Sequence, residues 1–269
     1  MLTQMNPATL QDIIAKKINT RVQVYTMGKF EVYVDGQRVP HQAWKRDKSL
    51  QLFQFMIIAC HRKALHKEQL IDRLWEDEMD DQGFKVALHG ISKVLEPEKK
   101  SHANSKYIER NNHAYALMAD DIWVDIYDFD ALLAEGNRMI QSDPAQAQIL
   151  LREALKMHTG VFLPDRIYED WSADERERIQ LSFLNASTAL AELVLPTNPT
   201  ESIQLCQDAL LGDITWEDAY RIQMAAFFAK GNRPMAIKTY KVCEKVLDEE
   251  MSIKPLPETK KLYQTILNT

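Results

Sequence analysis

The apolar positions along the chain switch from a strand-like to a helical pattern near residue 46. Residues 22–39, VQVYTMGKFEVYVDGQRV, read as strands: they are rich in Val, Tyr and Phe, and Met27-Gly28 and Asp35-Gly36 punctuate them as turns. Strands joined by these turns give a small antiparallel sheet. In residues 46–60 the apolar side chains Leu50, Phe53, Met56 and Ile57 recur with a helical period, which predicts an amphipathic helix. After the short connector His61-Arg62-Lys63-Ala64, a second helix covers about residues 67–76, with Leu70, Ile71, Leu74 and Trp75 on one face. A third covers about 82–95 and turns Phe84, Ala87, Leu88, Ile91 and Leu95 inward. Beyond the break at Pro97, Tyr107–Arg110 and Ala114–Leu117 form a hairpin around Asn111-Asn112-His113. Strands, three helices and a hairpin, in that order, describe a winged helix-turn-helix.

Beyond Asp120 nothing reads as strand. Helical periodicity recurs in 127–140, 144–158, 172–195, 200–211, 216–230, 234–250 and 257–267, separated by helix-stop signals at Asp143-Pro144, Gly160, Pro196 to Pro199, Gly212, Gly231-Asn232 and Pro255. Two stretches echo each other 34 residues apart: Asn198, Ile203, Cys206 and Ala209 against Asn232, Ile237, Tyr240 and Cys243. That is the tetratricopeptide period. The expected fold is therefore an α+β winged helix followed by an all-α, tetratricopeptide-like helical domain. The division is 1–21 as an N-terminal helix or linker, 22–120 as the winged helix and 121–269 as the helical array.

Charge sharpens the division. The net charge of −6 conceals +2 in residues 1–21, +1 in 22–120 and −9 in 121–269. The total argues against a histone-like binder, but a near-neutral domain still binds DNA when its cations share a face. Three cysteines, Cys60, Cys206 and Cys243, have no close spacing and read as reduced thiols of a cytoplasmic protein. No apolar run is long enough to span a bilayer and the N-terminus lacks the order of a signal peptide, so no membrane partner is expected. No phosphate loop, nucleophile elbow, metal-ligand spacing or catalytic constellation is present, so neither an enzyme nor a metal or other cofactor is expected.

In the third helix the inward set leaves Gln82, Lys85, His89, Ser92 and Lys93 outward, with Val86 able to touch a thymine methyl. Any exposed helix has such a face; its place in the strand-helix-helix-helix-hairpin order is what points to double-stranded DNA. Lys45, Arg46 and Lys48 precede or open the first helix, where cations beside backbone amides suit a phosphate. Asn111, Asn112 and His113 either reach a minor groove or backbone, or are simply good turn chemistry. The acidic stretch Glu76, Asp77, Glu78, Asp80 and Asp81 is either solvated surface or a contact for a basic partner such as a polymerase sigma factor.

With these segments in place the chain resembles the Streptomyces antibiotic regulatory protein (SARP) family of activators over about residues 22–267. The residues that carry the resemblance are Met27–Val32, Gln69–Trp75, Val86–Leu95, Trp123–Asp125 through Phe129, Leu151–Leu155 through Gly160–Leu163, Glu217–Arg221, Gly231–Arg233 and Ile253–Thr259. The resemblance implies an OmpR-type winged helix that binds promoter direct repeats and contacts RNA polymerase through its sigma factor or alpha subunit. It also implies a bacterial transcriptional activator domain (BTAD) open to an effector, and a homodimer on DNA. Longer regulators carry the same two domains at the end of an ATPase-containing chain. Two features depart from the family: the recognition helix, with Gly90 in its middle, offers Lys85 and Lys93 where arginines are common, and the chain, which has no phosphate loop of its own, is either a whole regulator or the C-terminal part of such an ATPase-containing one. The rival reading is a protein-interaction scaffold that uses the helical array, with a winged helix that no longer reads DNA.

Overall fold

The computed structural model describes residues 10–60, 63–75, 81–100, 103–118 and 121–269. These fall into two compact units: residues 1–128 with 159–177, and residues 129–158 with 178–269. Each is taken by itself.

The first unit opens with helix α1 (Leu10–Asn19), followed by strands β1 (Val22–Tyr25), β2 (Glu31–Val34) and β3 (Gln37–Arg38). β1 pairs antiparallel with β2, and β2 with β3. The sheet order is β3-β2-β1-β7, because β7 (Ile122–Val124) adds parallel to β1. This corrects the expectation that nothing beyond Asp120 is a strand. β7 is three residues long and all three are buried, so it has neither the length nor the alternation by which a strand is recognised. It is anchored by the next residue: the buried Asp125 carboxylate accepts from the amides of Thr26 and Met27 and from the Thr26 hydroxyl, at 2.6 to 3.1 Å.

A helical trio follows: α2 (Asp47–Ala59), α3 (Lys67–Leu74) and α4 (Asp81–Leu95). A second sheet, β4-β6-β5, is built from β4 (Leu65–His66), β5 (Ile108–Asn111) and β6 (Ala114–Leu117). The two-residue β4, between the connector at 61–64 and the second helix, joins the hairpin through Leu65↔Tyr115 and His66↔Ala114. Strands, three helices and a hairpin thus stand in the order of a winged helix, as expected.

Helix α2 is not amphipathic. Residues 49–57 are all buried, including Gln51 and Gln54. The face that looked solvent-directed lies under residues 159–172 of the same unit. There Gln51 donates to Glu169 at 2.9 Å, Gln54 donates to Asp165 at 2.9 Å and accepts from Arg166 Nε at 2.8 Å, and Phe55 meets Trp171 edge-on. Two buried amides are satisfied in this way, where each would otherwise cost about 1–3 kcal/mol. The covering segment is held to the first sheet by Met27↔Phe162 and by Gly28 N donating to the Val161 carbonyl at 3.0 Å. Gly28 (φ +87°) and Gly160 (φ +156°) make the approach: a Cβ on Gly28 would lie 2.6 Å from Thr159 Oγ1, and one on Gly160 3.0 Å from Gly28 Cα.

The second unit is helical throughout its described residues. It carries α5 (Asp125–Met139, from Phe129 on), α6 (Pro144–Met157), α7 (Ala173–Val194, from Arg178 on), α8 (Pro199–Gly212), α9 (Glu217–Ala229), α10 (Arg233–Met251) and α11 (Pro257–Asn268). Asp143, Asn198 and Asn232 cap α6, α8 and α10 by accepting from the amide three residues on, each with a proline in the first turn. The 34-residue echo is thus a repeated cap followed by a repeated core. Cys206 and Ala209 are buried in one repeat, Tyr240 and Cys243 in the next. All three cysteines are free and buried, and burial pushes each thiol up to about 12.

Two outcomes test this packing. A Cβ on Gly90, inside α4, would lie 2.2 Å from Ser49 Oγ and 2.8 Å from Ser49 Cβ on α2. Gly90→Ala therefore destabilises the chain by up to about 2 kcal/mol, because overpacking of about 1–3 kcal/mol is offset by a helix-propensity gain of about 1 kcal/mol. A Gly90→Ala protein as stable as its parent in urea contradicts the close approach. In the second unit, the His158 ring stacks on Phe183 at 4.2 Å, with Nε2 buried and unpartnered, and burial holds its pKa below 6.5. The unfolded chain then binds the extra proton first, so stability is lost as pH falls below 6.5. The urea midpoint drops between about pH 7.5 and 5.5, and His158→Phe flattens that drop.

Candidate nucleic-acid interface

Helix α4 buries Phe84, Ala87, Ile91, Val94 and Leu95, while Leu88 is only half-buried. Against Phe84 pack Trp75 and, from the hairpin, Tyr115, both edge-on. This aromatic contact fixes the distance between helix and hairpin. On the opposite side Gln82, Lys85, His89 and Lys93 are exposed and Val86 and Ser92 half-buried. At 3.6 residues per turn these six occupy roughly a third of the helix circumference.

Between α4 and the β5–β6 hairpin lies an open concavity of about 780 Å³. Of the residues expected to touch DNA it brings together Lys85, His89, Ser92 and His113. It adds Lys67, Lys99, Lys106 and Arg110, which the sequence reading had passed over. Except for Lys67, they belong to a basic series that runs from beyond the third helix into the hairpin, Lys99, Lys100, Lys106 and Arg110. Lys99 Nζ donates to Ser92 Oγ at 3.3 Å, and Arg110 Nε donates to the Asn112 carbonyl at 2.9 Å with its guanidinium 5.9 Å from the Tyr115 ring. Asp81 tempers the cations: it bonds Lys67 Nζ at 2.5 Å and lies 3.5 Å from Lys85 Nζ, and the Lys67 bond holds its carboxyl below the usual range.

Helix and hairpin are tied by Glu96. This buried carboxylate, just past the end of α4, accepts from Ser105 Oγ at 2.5 Å and from the Lys106 amide at 2.9 Å. Ser105 Oγ in turn accepts from the amides of Tyr107 and Ile108 at 3.1 Å. One side chain thus sets where Lys106 and the first wing strand sit relative to the helix.

The remaining expected residues lie elsewhere. Asn111 ends β5, and Asn112 (φ +55°) and His113 form the two-residue tip. Lys45 (φ +58°) and Arg46, the residue before α2, are exposed. Lys48 is also exposed, and its ammonium donates to the Leu74 carbonyl at the end of α3 and lies 5.5 Å from the Trp75 ring, a favourable place for a cation. The first turn of α2 already holds a guanidinium, since Arg166 bonds Asp47 in a fork at 2.5 and 2.8 Å and depresses its pKa. Of the acidic stretch, Glu76, Asp77, Glu78 and Asp80 lie outside the described residues, and Asp81 opens α4.

Among the described residues no group of three or more His, Cys, Asp or Glu side chains is arranged to hold a metal, and no helix is long and apolar enough to cross a membrane. No curated protein sequence matches the chain. Its fold is similar to that of Mycobacterium tuberculosis EmbR, a structure solved with a low-affinity phosphopeptide, at a TM-score of 0.78 and 18% identity, covering 93% of this chain. The chain spans 66% of the length of that one. Residues 124–267, more than half of the sequence, match the bacterial transcriptional activator domain. With a winged helix ahead of that domain, the chain belongs to the bacterial transcriptional activator domain family.

Proposed function

We propose that this chain is a cytoplasmic, sequence-specific DNA-binding activator. In this reading α4 lies in the major groove and the β5–β6 hairpin follows the adjacent backbone. The observation that carries it is the shared concavity, in which the exposed face of α4 and the basic inner side of the hairpin converge. Lys85, His89 and Lys93 reach base edges or nearby phosphates, with Gln82, Val86 and Ser92 beside them. Lys99, Lys106 and Arg110 grip the backbone on the wing side, with Asn111, Asn112 and His113 at the tip, and Lys45 and Arg46 do so near α2. Lys48 acts through α3, which it holds. The acidic stretch Glu76–Asp81 is the proposed contact for the sigma factor or alpha subunit of RNA polymerase, and the helical array takes the effector. Promoter direct repeats place two copies head to tail, a heterologous contact rather than a two-fold one.

The scaffold reading draws on the same site, because Asp81 occupies two of its cations, Lys67 and Lys85. The two differ in their response to salt. Each phosphate contact contributes roughly 0.9 to the log–log slope of affinity against salt, whereas a scaffold has no such dependence on DNA.

Selection from a random DNA pool at two salt concentrations enriches a tandem direct repeat, more strongly at low salt. Lys85→Ala with Lys93→Ala abolishes that enrichment. An unchanged selection in the double variant overturns the assignment of α4, and no enrichment at any salt favours the scaffold. Glu96→Ala unlinks the wing from α4. Amide exchange at Lys106–Ile108 accelerates without DNA present, and the salt slope on the selected repeat falls by about 1 to 2 as Lys106 and Arg110 lose their places.

A further inference from the structure

One end of the helical array presents apolar side chains to solvent with nothing over them. Leu211 is 86% exposed just before the last residue of α8, Met251 is about half exposed as the last residue of α10, and Ile214, Ile253 and Leu256 are each about half exposed in the α8–α9 and α10–α11 connections. Several bonds hold these connections at the same end. The Leu256 amide donates to the Glu217 carboxylate at 2.7 Å, Tyr220 Oη donates to the Ile214 carbonyl at 2.9 Å, and the Ile253 amide donates to the Leu247 carbonyl at 3.2 Å. Beneath them Leu210 packs on Tyr220, Cys243 and Leu247. Scattered single apolar residues need no account on a protein surface, but a group of five fixed together at one end does.

The charge around this group is one-sided. Residues 211–218 and 244–256 hold seven carboxylates and two lysines. Three of the acids, Asp248, Glu249 and Glu250, occupy the last turn of α10, which has no basic residue. Exposed carbonyls already make a helix C-terminus negative, so acids there are disfavoured. Lys254 and Lys245 pair with Asp248 and Glu249 and leave the net charge negative. An apolar centre with an acidic rim is complementary to a helix that carries an apolar stripe flanked by cations.

We propose that this end of the array docks a basic amphipathic helix of a partner protein, with Leu211 and Ile253 as apolar anchors and the end of α10 as the acidic rim. The site is separate from the α4 concavity and independent of DNA binding.

The probe is a synthetic helix of about 18 residues, long enough to fold alone, with leucines at i, i+3, i+4 and i+7 and lysines elsewhere. A matched peptide carries glutamates in place of the lysines. Fluorescence anisotropy with the full chain is expected to show saturable binding of the lysine peptide, weakened by salt, and none of the glutamate peptide. Leu211→Ser with Ile253→Ser weakens binding about tenfold or more, and Glu249→Lys with Glu250→Lys has a similar effect. All four positions are exposed, so the variants keep the parent's circular dichroism and its affinity for the selected DNA. Three results overturn the proposal: no binding of the lysine peptide, equal binding of both peptides, or binding indifferent to the variants. A concentration-dependent dimer lost in Leu211→Ser with Ile253→Ser also overturns it, by assigning the surface to a second copy of the chain.

Discussion

Arg166 is 8% exposed, and its guanidinium makes three hydrogen bonds, two to Asp47 and one to Gln54. These close the polar side of α2, which carries two amides into a core beneath the exposed Asp47 carboxylate. With that side closed, α2 is buried around its circumference and becomes the post on which the first unit is built. Helix α4 approaches it so nearly that only a glycine fits at residue 90. The wing hairpin is then positioned against α4 by Phe84, Tyr115 and Glu96. The placing of the basic concavity therefore runs back, through two helix contacts, to a salt bridge on its far side. Such a pair contributes little when exposed and a good deal when one partner is buried, because removing the other leaves an uncompensated charge.

Element type was legible where the pattern was long. The recognition helix, the hairpin and the seven helices after residue 124 follow from apolar spacing and stop signals alone, and their ends differ from expectation by a residue or two. What could not be read was whatever depends on a partner distant in sequence. Gln51 and Gln54 look like the wet face of an amphipathic helix until residues more than 100 positions later cover them. β7 has no alternation to detect because both of its faces are buried. Gly90 looked like a weakness in the helix, and its reason is a serine on another element.

The candidate site was half legible for the same reason. Lys85, His89 and Ser92 follow from one helix's periodicity. Lys99, Lys106 and Arg110 join them only because the hairpin folds back, and a basic residue in a connector carries no periodicity to mark it. Lys48 shows the converse: it stands where a phosphate contact is expected, and its long side chain also reaches a helix C-terminus and a tryptophan face. Asp81, shared by two lysines, moderates the positive charge of the concavity.

The first unit is interrupted in sequence: residues 129–158 intervene between its main part and the segment that covers α2. During synthesis the winged helix therefore leaves the ribosome incomplete. It waits with two buried-type amides and an aromatic edge uncovered until Trp171 has emerged, well after α5 and α6. Domain exchange between related regulators meets the same constraint. A chimera joined at the end of the hairpin would inherit a donor's wing without the strap that supports its central helix, so exchanges that keep the fold must carry residues 159–177 along with the winged helix.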